Sequence, residues 1–327
     1  MKPDANGRVR PWRFYLHSIR SMLVPRFIRI FSRRKLLKNW EMRPDASLIK
    51  ERVDFYCLPS APFSLGHNAP RIKDITLHKT HSRYYFDLHE ILGGFHGKKR
   101  VGFVQGDILS NPSYPCLMKG RRLKEGRENG VILNLDKIRH FCVPDDPIPF
   151  EKKTPKLIFR GEAEGKPARL KFLEMWADHP LCDLGDTAKK VKSQWFKDPI
   201  TISDHFKYKF VLTLEGNDVA SALMWVMASN CIPVMPRPTV ETWLMHSRLV
   251  PGVHYIEIKS DFSDVANQLE YYISHPEEAK KISEASKEWI RQFGDEKREK
   301  IIASLVVEKY LRLSGQPEED EYRKTDV

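Results

Sequence analysis

A glycine turn in the second half of the chain carries side chains that suit an anion. Glu215-Gly216-Asn217-Asp218 follows the apolar run Phe210–Leu214 and precedes Val219-Ala220-Ser221. Where a strand turns through glycine into a helix, the free main-chain N–H groups of the helix start can bind a phosphate, and Ser221 adds a hydroxyl donor. The alternative is an ordinary turn in which Asp218 caps a helix over 219–229.

Basic side chains lie close to two of the predicted strands. Arg160 follows the strand that we expect at 156–159, and Arg169 lies in the next predicted helix. A guanidinium at the carboxyl end of a strand can hold a phosphate or carboxylate through two parallel hydrogen bonds, whereas the alternative is a structural ion pair. Tyr208 and Lys209 lead into the strand before the glycine turn, either towards the same site or as an amphipathic edge pair.

One carboxylate in the first half of the chain stands in a comparable place. Asp107 follows Gly106 after a predicted strand at 100–104. A carboxylate at a strand end can act as a general base, a role typically worth 10²–10⁴-fold in rate. The alternative is an aspartate that only shapes a turn.

Several motifs are absent from the sequence. It contains no Asp-x-Asp, CxxC, Walker A, GxGxxG or GxSxG pattern, which argues against zinc, ATPase, dinucleotide and serine-hydrolase chemistry. We therefore predict that the protein needs no metal ion and no cofactor. Its five scattered cysteines are expected to be buried thiols in a reducing compartment.

The elements that must position these residues divide the chain unevenly. After a Pro-rich stretch at 143–155, strands and helices alternate, which predicts a parallel sheet covered on both faces with ligands at its carboxyl edge. We predict a basic arm at 1–40, a first domain at 41–150, a second, α/β domain at 151–313 and a frayed polar tail at 314–327.

The arm holds most of the net charge. Residues 1–40 carry +10 of the formal +12, and large apolar side chains alternate with the basic ones. Such a segment is typical of contact with an anionic membrane surface, and Pro25 is expected to divide it into two short helices. The alternatives are packing on the body of the protein, which does not exclude membrane contact, and nucleic-acid binding.

Five segments in order resemble glycosyltransferase family 90, and most closely its bacterial lipopolysaccharide core branch. They are Lys156–Gly161, Arg169, Tyr208–Phe210, Glu215–Ser221 and Pro251–Ile258; Lys119–Arg121 and Val131–Phe141 match the bacterial branch. The resemblance covers about 75–293 and implies an α/β protein of the GT-B type, with two Rossmann-like domains facing a cleft. It also implies a UDP-sugar donor that the domain at 151–313 binds, an acceptor on the side of the domain at 41–150, and inversion at the anomeric carbon.

The resemblance also assigns roles to residues. Asp107 falls where the family has its catalytic aspartate, and Lys119, Arg121 and Arg122 are candidates for acceptor phosphates. At Glu162 and Leu223 the chain lacks basic residues that eukaryotic members carry near these motifs. The residues expected to line the donor site are Arg160, Gly161, Arg169, Tyr208, Lys209, Glu215, Gly216, Asn217, Asp218, Ala220 and Ser221.

We therefore predict an inverting, metal-independent transferase that moves a hexose from a UDP-sugar to a lipopolysaccharide or lipooligosaccharide core sugar. No secretory signal or membrane span is evident, so we expect it at the cytoplasmic face of the cell membrane. One alternative is a protein O-glycosyltransferase. Another is a non-catalytic protein that binds a membrane or nucleic acid through the arm.

Overall fold

A computed structural model of the chain describes residues 11–77, 81–140, 145–189 and 193–316. Residues 1–10 of the predicted arm and 317–327 of the predicted tail lie outside them. The helices are α1 (Pro11–Met22), α2 (Arg26–Leu37), α3 (Ala46–Tyr56), α4 (Ser82–Leu92), α5 (Lys137–His140), α6 (Pro167–Trp176), α7 (Ile202–His205), α8 (Leu223–Ala228), α9 (Val265–Ser274), α10 (Pro276–Arg291) and α11 (Glu296–Leu313). The strands are β1 (Cys116–Met118), β2 (Gly120–Arg122), β3 (Gly130–Ile132), β4 (Thr154–Gly161), β5 (Cys182–Asp186), β6 (Tyr208–Leu212), β7 (Ile232–Met235), β8 (Val240–Thr242) and β9 (Ile256–Glu257).

The described chain forms two compact units whose segments alternate along the sequence. The sheet unit contains 138–239 and 244–292, and the helical unit contains 11–137, 240–243 and 293–316. The end of the chain, from residue 293, therefore belongs to the helical unit, whereas the prediction placed everything from 151 to 313 in the second domain. This end belongs to the helical unit because α11 packs on α3 and α2.

The sheet unit is built on one parallel sheet. Its strand order is β5-β4-β6-β7-β9, and every neighbouring pair is parallel. Successive residues of β4 alternate between two cores, since Leu157 and Phe159 pack with α6 and α9 whereas Ile158 packs with Trp225 of α8. Helices on both faces make this the covered parallel sheet that the alternating pattern predicts.

The helical unit has no comparable sheet among its described residues. Its strands pair two by two, β1 with β3 in parallel and β2 with β8 in antiparallel. The predicted strand at 100–104 is reduced to single bridges, one of them between Phe103 and Leu117. The expected second Rossmann-like sheet is thus not seen in the described part of this unit.

A buried polar network joins three parts of the helical unit. Arg52 of α3 is fully buried and donates to both carboxylate oxygens of Glu299 in α11, at 2.6 and 2.7 Å. Trp243 donates its indole N–H to the same carboxylate at 2.6 Å. Tyr56 stacks on Trp243 with ring centroids 3.9 Å apart and donates its hydroxyl to the Trp243 carbonyl. These contacts explain why 240–243 and α11 belong to this unit.

Some local predictions are confirmed and others are wrong. Pro25 separates α1 from α2 as expected. Residues 240–242 form strand β8, because β-branched Val240 and Thr242 extend and pair with β2. The start of the tail is not frayed, since the Gln316 amide accepts from the Arg100 N–H and donates to its carbonyl.

The cysteines in the described residues are free and buried, as predicted: Cys57, Cys116, Cys182 and Cys231. Cys142 lies outside the described residues.

Candidate active site

The carboxyl ends of the two central strands β4 and β6 are joined by Arg169 of α6. Its guanidinium donates to the Glu162 carbonyl after β4 at 2.9 Å and to the Leu214 carbonyl after β6 at 3.0 Å. A Cβ on Gly161 would lie 3.5 Å from Nη1 of Arg169, and one on Gly216 would lie 3.1 Å from Nη2. The glycines therefore leave the guanidinium room at this edge of the sheet.

Arg169 carries a charge that no carboxylate neutralises by direct contact in the described structure. Burial lowers the pKa of its guanidinium, and the charge of Glu162 opposes this change. A guanidinium stays protonated in proteins, so the group presents positive charge and two further Nη N–H donors at the edge. Its Nε is buried without a partner. Such a group is suited to a phosphate or carboxylate.

Lys166 is a second basic residue here, and the sequence analysis missed it. The side chain of Lys166 lies 3.5 Å from the position of a Cβ on Gly216 and donates to the Glu164 carbonyl at 3.2 Å. It precedes Arg169 by three residues at the start of α6. That spacing places two residues on one face of a helix turn and could have indicated the pair.

The loop over 215–221 differs from the predicted turn into a helix. The helix α8 begins at Leu223 and has six residues, so Ser221 lies before its first turn. A helix this short, starting this late, does not supply the dipole expected at 218. Gly216 instead donates its N–H to the Asp218 carbonyl at 2.9 Å.

Side chains along this loop differ in exposure. Asn217 is exposed, Asp218 is buried, and Ala220 and Ser221 are half-buried.

Glu215 is held by the loop that follows β7. Thr239 donates its N–H to one carboxylate oxygen at 2.9 Å and its hydroxyl to the other at 2.6 Å. This pairing fixes the ends of two neighbouring strands relative to each other. Glu215 thus shapes the edge of the sheet, and its carboxylate is engaged there.

Asp186, at the end of β5, organises the same edge from the other side. Its carboxylate accepts from the N–H groups of Ala163 and Ala188 and from the Ser193 hydroxyl, at 2.9–3.0 Å. Burial alone would raise the pKa of Asp186, but these hydrogen bonds outweigh it and lower the pKa. The strand β5 was not predicted, so this residue was missed.

Arg160 turns away from this edge into an ion pair. Its guanidinium donates at 2.8 Å to both the carbonyl and the carboxylate of Asp183. Tyr208 and Lys197 donate to the same carboxylate at 2.6 and 2.9 Å. Burial would raise the pKa of Asp183, but these donors lower it, whereas burial and Asp183 raise the pKa of Tyr208 to about 12. Arg160 thus forms the structural ion pair that the sequence analysis gave as the alternative to binding a phosphate or carboxylate.

Lys209 lies at the opposite end of its strand. It is the second residue of β6, and its Nζ lies 4.7 Å from the centroid of the Phe150 ring. Leu214 lies five positions further along the extended chain, roughly 16 Å away. The structure does not bring Lys209 to the edge where Arg169 lies.

Asp107 lies in the helical unit and is 40% exposed. It follows Gly106, whose φ of +90° favours glycine. Its carboxylate lies 3.5 Å from the Nζ of Lys119, which is 4% exposed. An exposed carboxylate beside a buried ammonium has the chemistry of a general base that is oriented by a neighbour.

Arg121, another of the acceptor candidates, is buried in the helical unit among main-chain carbonyls. It is 2% exposed, and it donates to the carbonyls of Phe55, Tyr56 and Gly130. Burial lowers its pKa to about 10. Lys119 is buried beside Asp107, and of the three acceptor candidates only Arg122 is half-exposed.

Within the described ranges, no group of three or more His, Cys, Asp or Glu side chains is arranged to hold a metal ion.

The covered parallel sheet with glycine turns at its carboxyl edge defines a ligand-binding α/β unit. The sequence matches the family described as glycosyl transferase family 90 over residues 140–303. It is also 36% identical over 310 residues to the O-glucosyltransferase LpsA of Dichelobacter nodosus, which covers 93% of this chain and 97% of that protein. The chain therefore belongs to glycosyltransferase family 90, and the resemblance seen in the sequence is confirmed.

More distant relatives match shorter stretches. The chain is 28% identical over 174 residues to protein O-glucosyltransferase 3 of Homo sapiens, covering 51% of this chain and 34% of that protein. It is 32% identical over 92 residues to protein O-glucosyltransferase 2 of Danio rerio, covering 28% and 18%.

Proposed function

We propose that this protein transfers a hexose from a UDP-sugar to a core sugar of lipopolysaccharide or lipooligosaccharide, with inversion and without a metal ion. The name of the LpsA relative, which it matches over most of both chains, supports this substrate class. Glucose is the first sugar to test, since the relatives are O-glucosyltransferases. We further propose that the reaction takes place at the cytoplasmic face of the membrane.

The observation that carries the proposal is the guanidinium of Arg169 at the carboxyl edge of the sheet. It lies beside Gly161 and Gly216, and its contacts at strand ends are main-chain carbonyls. Positive charge in this position can stabilise the diphosphate that departs when the glycosidic bond to the nucleotide breaks. Lys166 adds a second positive charge close to Gly216.

The proposed base is Asp107. Its carboxylate takes the proton of an acceptor hydroxyl, and that oxygen attacks the anomeric carbon on the face opposite the diphosphate. The new carbon–oxygen bond forms as the bond to the diphosphate breaks, and its electron pair leaves with the nucleotide. The ammonium of Lys119, 3.5 Å away, orients the carboxylate and stabilises its charge. The GT-B pairing of the two units remains a prediction.

The test is turnover with purified protein. UDP-glucose and UDP-galactose are each offered with truncated core oligosaccharide, with and without EDTA, and the released UDP and the anomeric configuration of the product are measured. We expect turnover with one UDP-sugar, unchanged by EDTA and with an inverted product. A retained configuration, or loss of activity on chelation that is restored by a divalent cation, contradicts the respective part of the proposal.

A substitution tests the base. Asp107→Asn should lower kcat by 10²–10⁴-fold in protein that stays folded. Asp178→Asn, at another exposed aspartate, is the matched control. Near wild-type turnover of folded Asp107→Asn would show that another group takes the proton.

Protein O-glucosylation is the second candidate. It is favoured by the match to human protein O-glucosyltransferase 3 over 51% of this chain. A serine-containing folded protein acceptor, offered beside the core oligosaccharide, separates the two. If neither acceptor is used and UDP does not bind, the remaining alternative is a non-catalytic binding protein.

A further inference from the structure

The second arm helix, α2, packs on the body through its arginines. Arg26, Arg29 and Arg33 recur at spacings of three and four residues, so they share one face of the helix. Arg33 is 6% exposed, and Arg26 and Arg29 are half-buried. A helix that packs on a globular body normally turns apolar side chains inwards, and α2 departs from that rule.

The inward arginines have specific partners. Arg26 donates to the Phe95 carbonyl at 2.9 Å, and Arg29 lies 3.0 Å from Nε2 of His89. Arg33 pairs with Glu308 of α11 and lies over the Phe95 ring, 4.1 Å from its centroid. These contacts fix which face of α2 is turned to the protein.

Two glycines after α4 make room for these side chains. A Cβ on Gly93 would collide with Nη1 of Arg29, and one on Gly94 would lie 3.1 Å from the Cβ of Arg33. Burial and the nearby Arg29 and Arg26 lower the pKa of His89 to about 4, so the imidazole is neutral at pH 7 and accepts from Arg29. The inward orientation therefore depends on several independent contacts.

The outward surface of the arm is apolar. Phe27 is 71% exposed and Phe31, one turn later, is 68% exposed. Leu23, just before Pro25, is 78% exposed, and Leu16 and Ile19 of α1 are 41% and 49% exposed. We call these five side chains the outer ridge. Phe27 and Phe31 lie one turn apart on one face of α2, and neighbouring large apolar side chains on a surface mark an interaction site, whereas single ones do not.

Basic side chains border the outer ridge. Arg34 follows Phe27 and Phe31 along the same face of α2, at i+7 from Phe27. Lys38 comes directly after the helix, and Lys35 and Arg20 lie nearby in sequence. All four are exposed. A short helix that combines phenylalanine with Lys and Arg on its outward side is typical of segments lying in the interface of an anionic bilayer.

We propose that the outer ridge inserts into the interfacial region of an anionic lipid bilayer, with the bordering Arg and Lys side chains on the lipid headgroups. The charge of this border favours anionic lipid over a second copy of the same basic arm. No helix in the described parts of the chain has the length and hydropathy to span a membrane. This contact would give the proposed transferase, on which the idea rests, a lipid surface as a partner. The experiment measures lipid binding independently of catalysis.

The experiment is vesicle flotation with the full-length protein. Vesicles of phosphatidylethanolamine with about 30% phosphatidylglycerol are compared with vesicles of phosphatidylcholine alone. The test variant is Phe27→Ser with Phe31→Ser. The matched control is Met42→Ser with Val250→Ser, which removes two exposed apolar side chains outside the ridge, 81% and 48% exposed.

We expect wild type and control to float with the anionic vesicles with partition coefficients within twofold of each other. The ridge variant should bind at least about tenfold more weakly, because two large apolar side chains no longer enter the bilayer. Raising NaCl to 0.5 M should weaken wild-type binding severalfold. Turnover on soluble oligosaccharide, where present, should be equal in all three proteins.

Two outcomes overturn the proposal. One is equal vesicle binding by wild type and the ridge variant, and the other is wild-type protein that stays unbound. If sedimentation velocity shows a wild-type dimer that the ridge variant loses, the ridge is instead an interface between copies of this chain. Failure of catalysis with intact vesicle binding contradicts only the proposed function.

Discussion

Replacing Arg169 with Gln tests the proposed nucleotide site most directly. The guanidinium uses two of its five N–H donors on the carbonyls of Glu162 and Leu214. Two Nη N–H donors and the full charge remain for a phosphate, while the Nε N–H is buried. Gln removes the charge and the fork but keeps a polar side chain of comparable reach, and Arg169→Lys keeps the charge without the fork.

The magnitude follows from hydrogen bonds to charged groups, which contribute about 1.5–3 kcal/mol each. Losing one such bond to the diphosphate weakens UDP binding by about 10–150-fold. At a UDP concentration about 100 times the wild-type Kd, ligand stabilises wild type by roughly 2.7 kcal/mol. A variant that binds about 100-fold more weakly then gains only about 0.4 kcal/mol.

The assay is thermal unfolding with and without UDP. Each variant is compared with its own ligand-free state, because the loss of the carbonyl contacts lowers the melting temperature by itself. Wild type should shift by a few degrees and Arg169→Gln by less than one, with Arg169→Lys between them. Arg291→Gln, at an exposed surface pair, is the control. An Arg169→Gln shift equal to that of wild type would refute the assignment of this edge to the diphosphate.

Three further predictions concern stability and loop order. Arg52→Met removes the bidentate partner of buried Glu299 and should cost about 3–5 kcal/mol in urea unfolding, whereas Arg52→Met with Glu299→Gln should cost less. Burial lowers the folded-state pKa of His89 to about 4, so the unfolded chain takes up the proton first and stability falls as the pH drops from 6.5 towards 4. The free energy of unfolding should fall by about 1–2 kcal/mol between neutral pH and pH 5. Urea titrations of His89→Gln over the same range should show a smaller fall in the free energy of unfolding. Glu215→Gln and Thr239→Val should each weaken UDP binding several-fold in the thermal-shift assay, because both release the loop after β7; an effect of only one would contradict the shared role.

Much of the sheet unit is predictable because its strands are short apolar runs. The strand β4 contains the predicted strand at 156–159, and β6 contains Phe210–Leu212 of the apolar run before the glycine turn. The strand β5 was not predicted, because Asp and Gly are rare in strands and it contains Asp183, Gly185 and Asp186. Its pairing with β4 holds it extended. Its polar residues are tolerated because each carboxylate has donors from other segments.

The candidate site shows a similar limit. The position of Arg169 near a glycine turn follows from the order of elements along the chain. The pairing of Arg160 with Asp183, 23 residues away, does not, because the partner lies on an unpredicted strand. The sequence does not predict which face of α2 is buried, because its arginines and its phenylalanines both recur at helical spacing. The partners on α4 and α11 decide that the arginines face inwards.

The helical unit is built from segments that lie far apart in the sequence, and this has a consequence for synthesis on the ribosome. Arg52 is completed 247 residues before Glu299, and Tyr56 187 residues before the Trp243 carbonyl. At about 5–20 residues per second, Arg52 waits roughly 12–50 s for its carboxylate. During this interval the N-terminal third of the chain cannot close its core. The last strand of the sheet unit, β9, ends at Glu257 and is therefore complete before Glu299 is made. The second unit in the sequence is therefore positioned to fold first, and the nascent N-terminal segment is the part most dependent on chaperones.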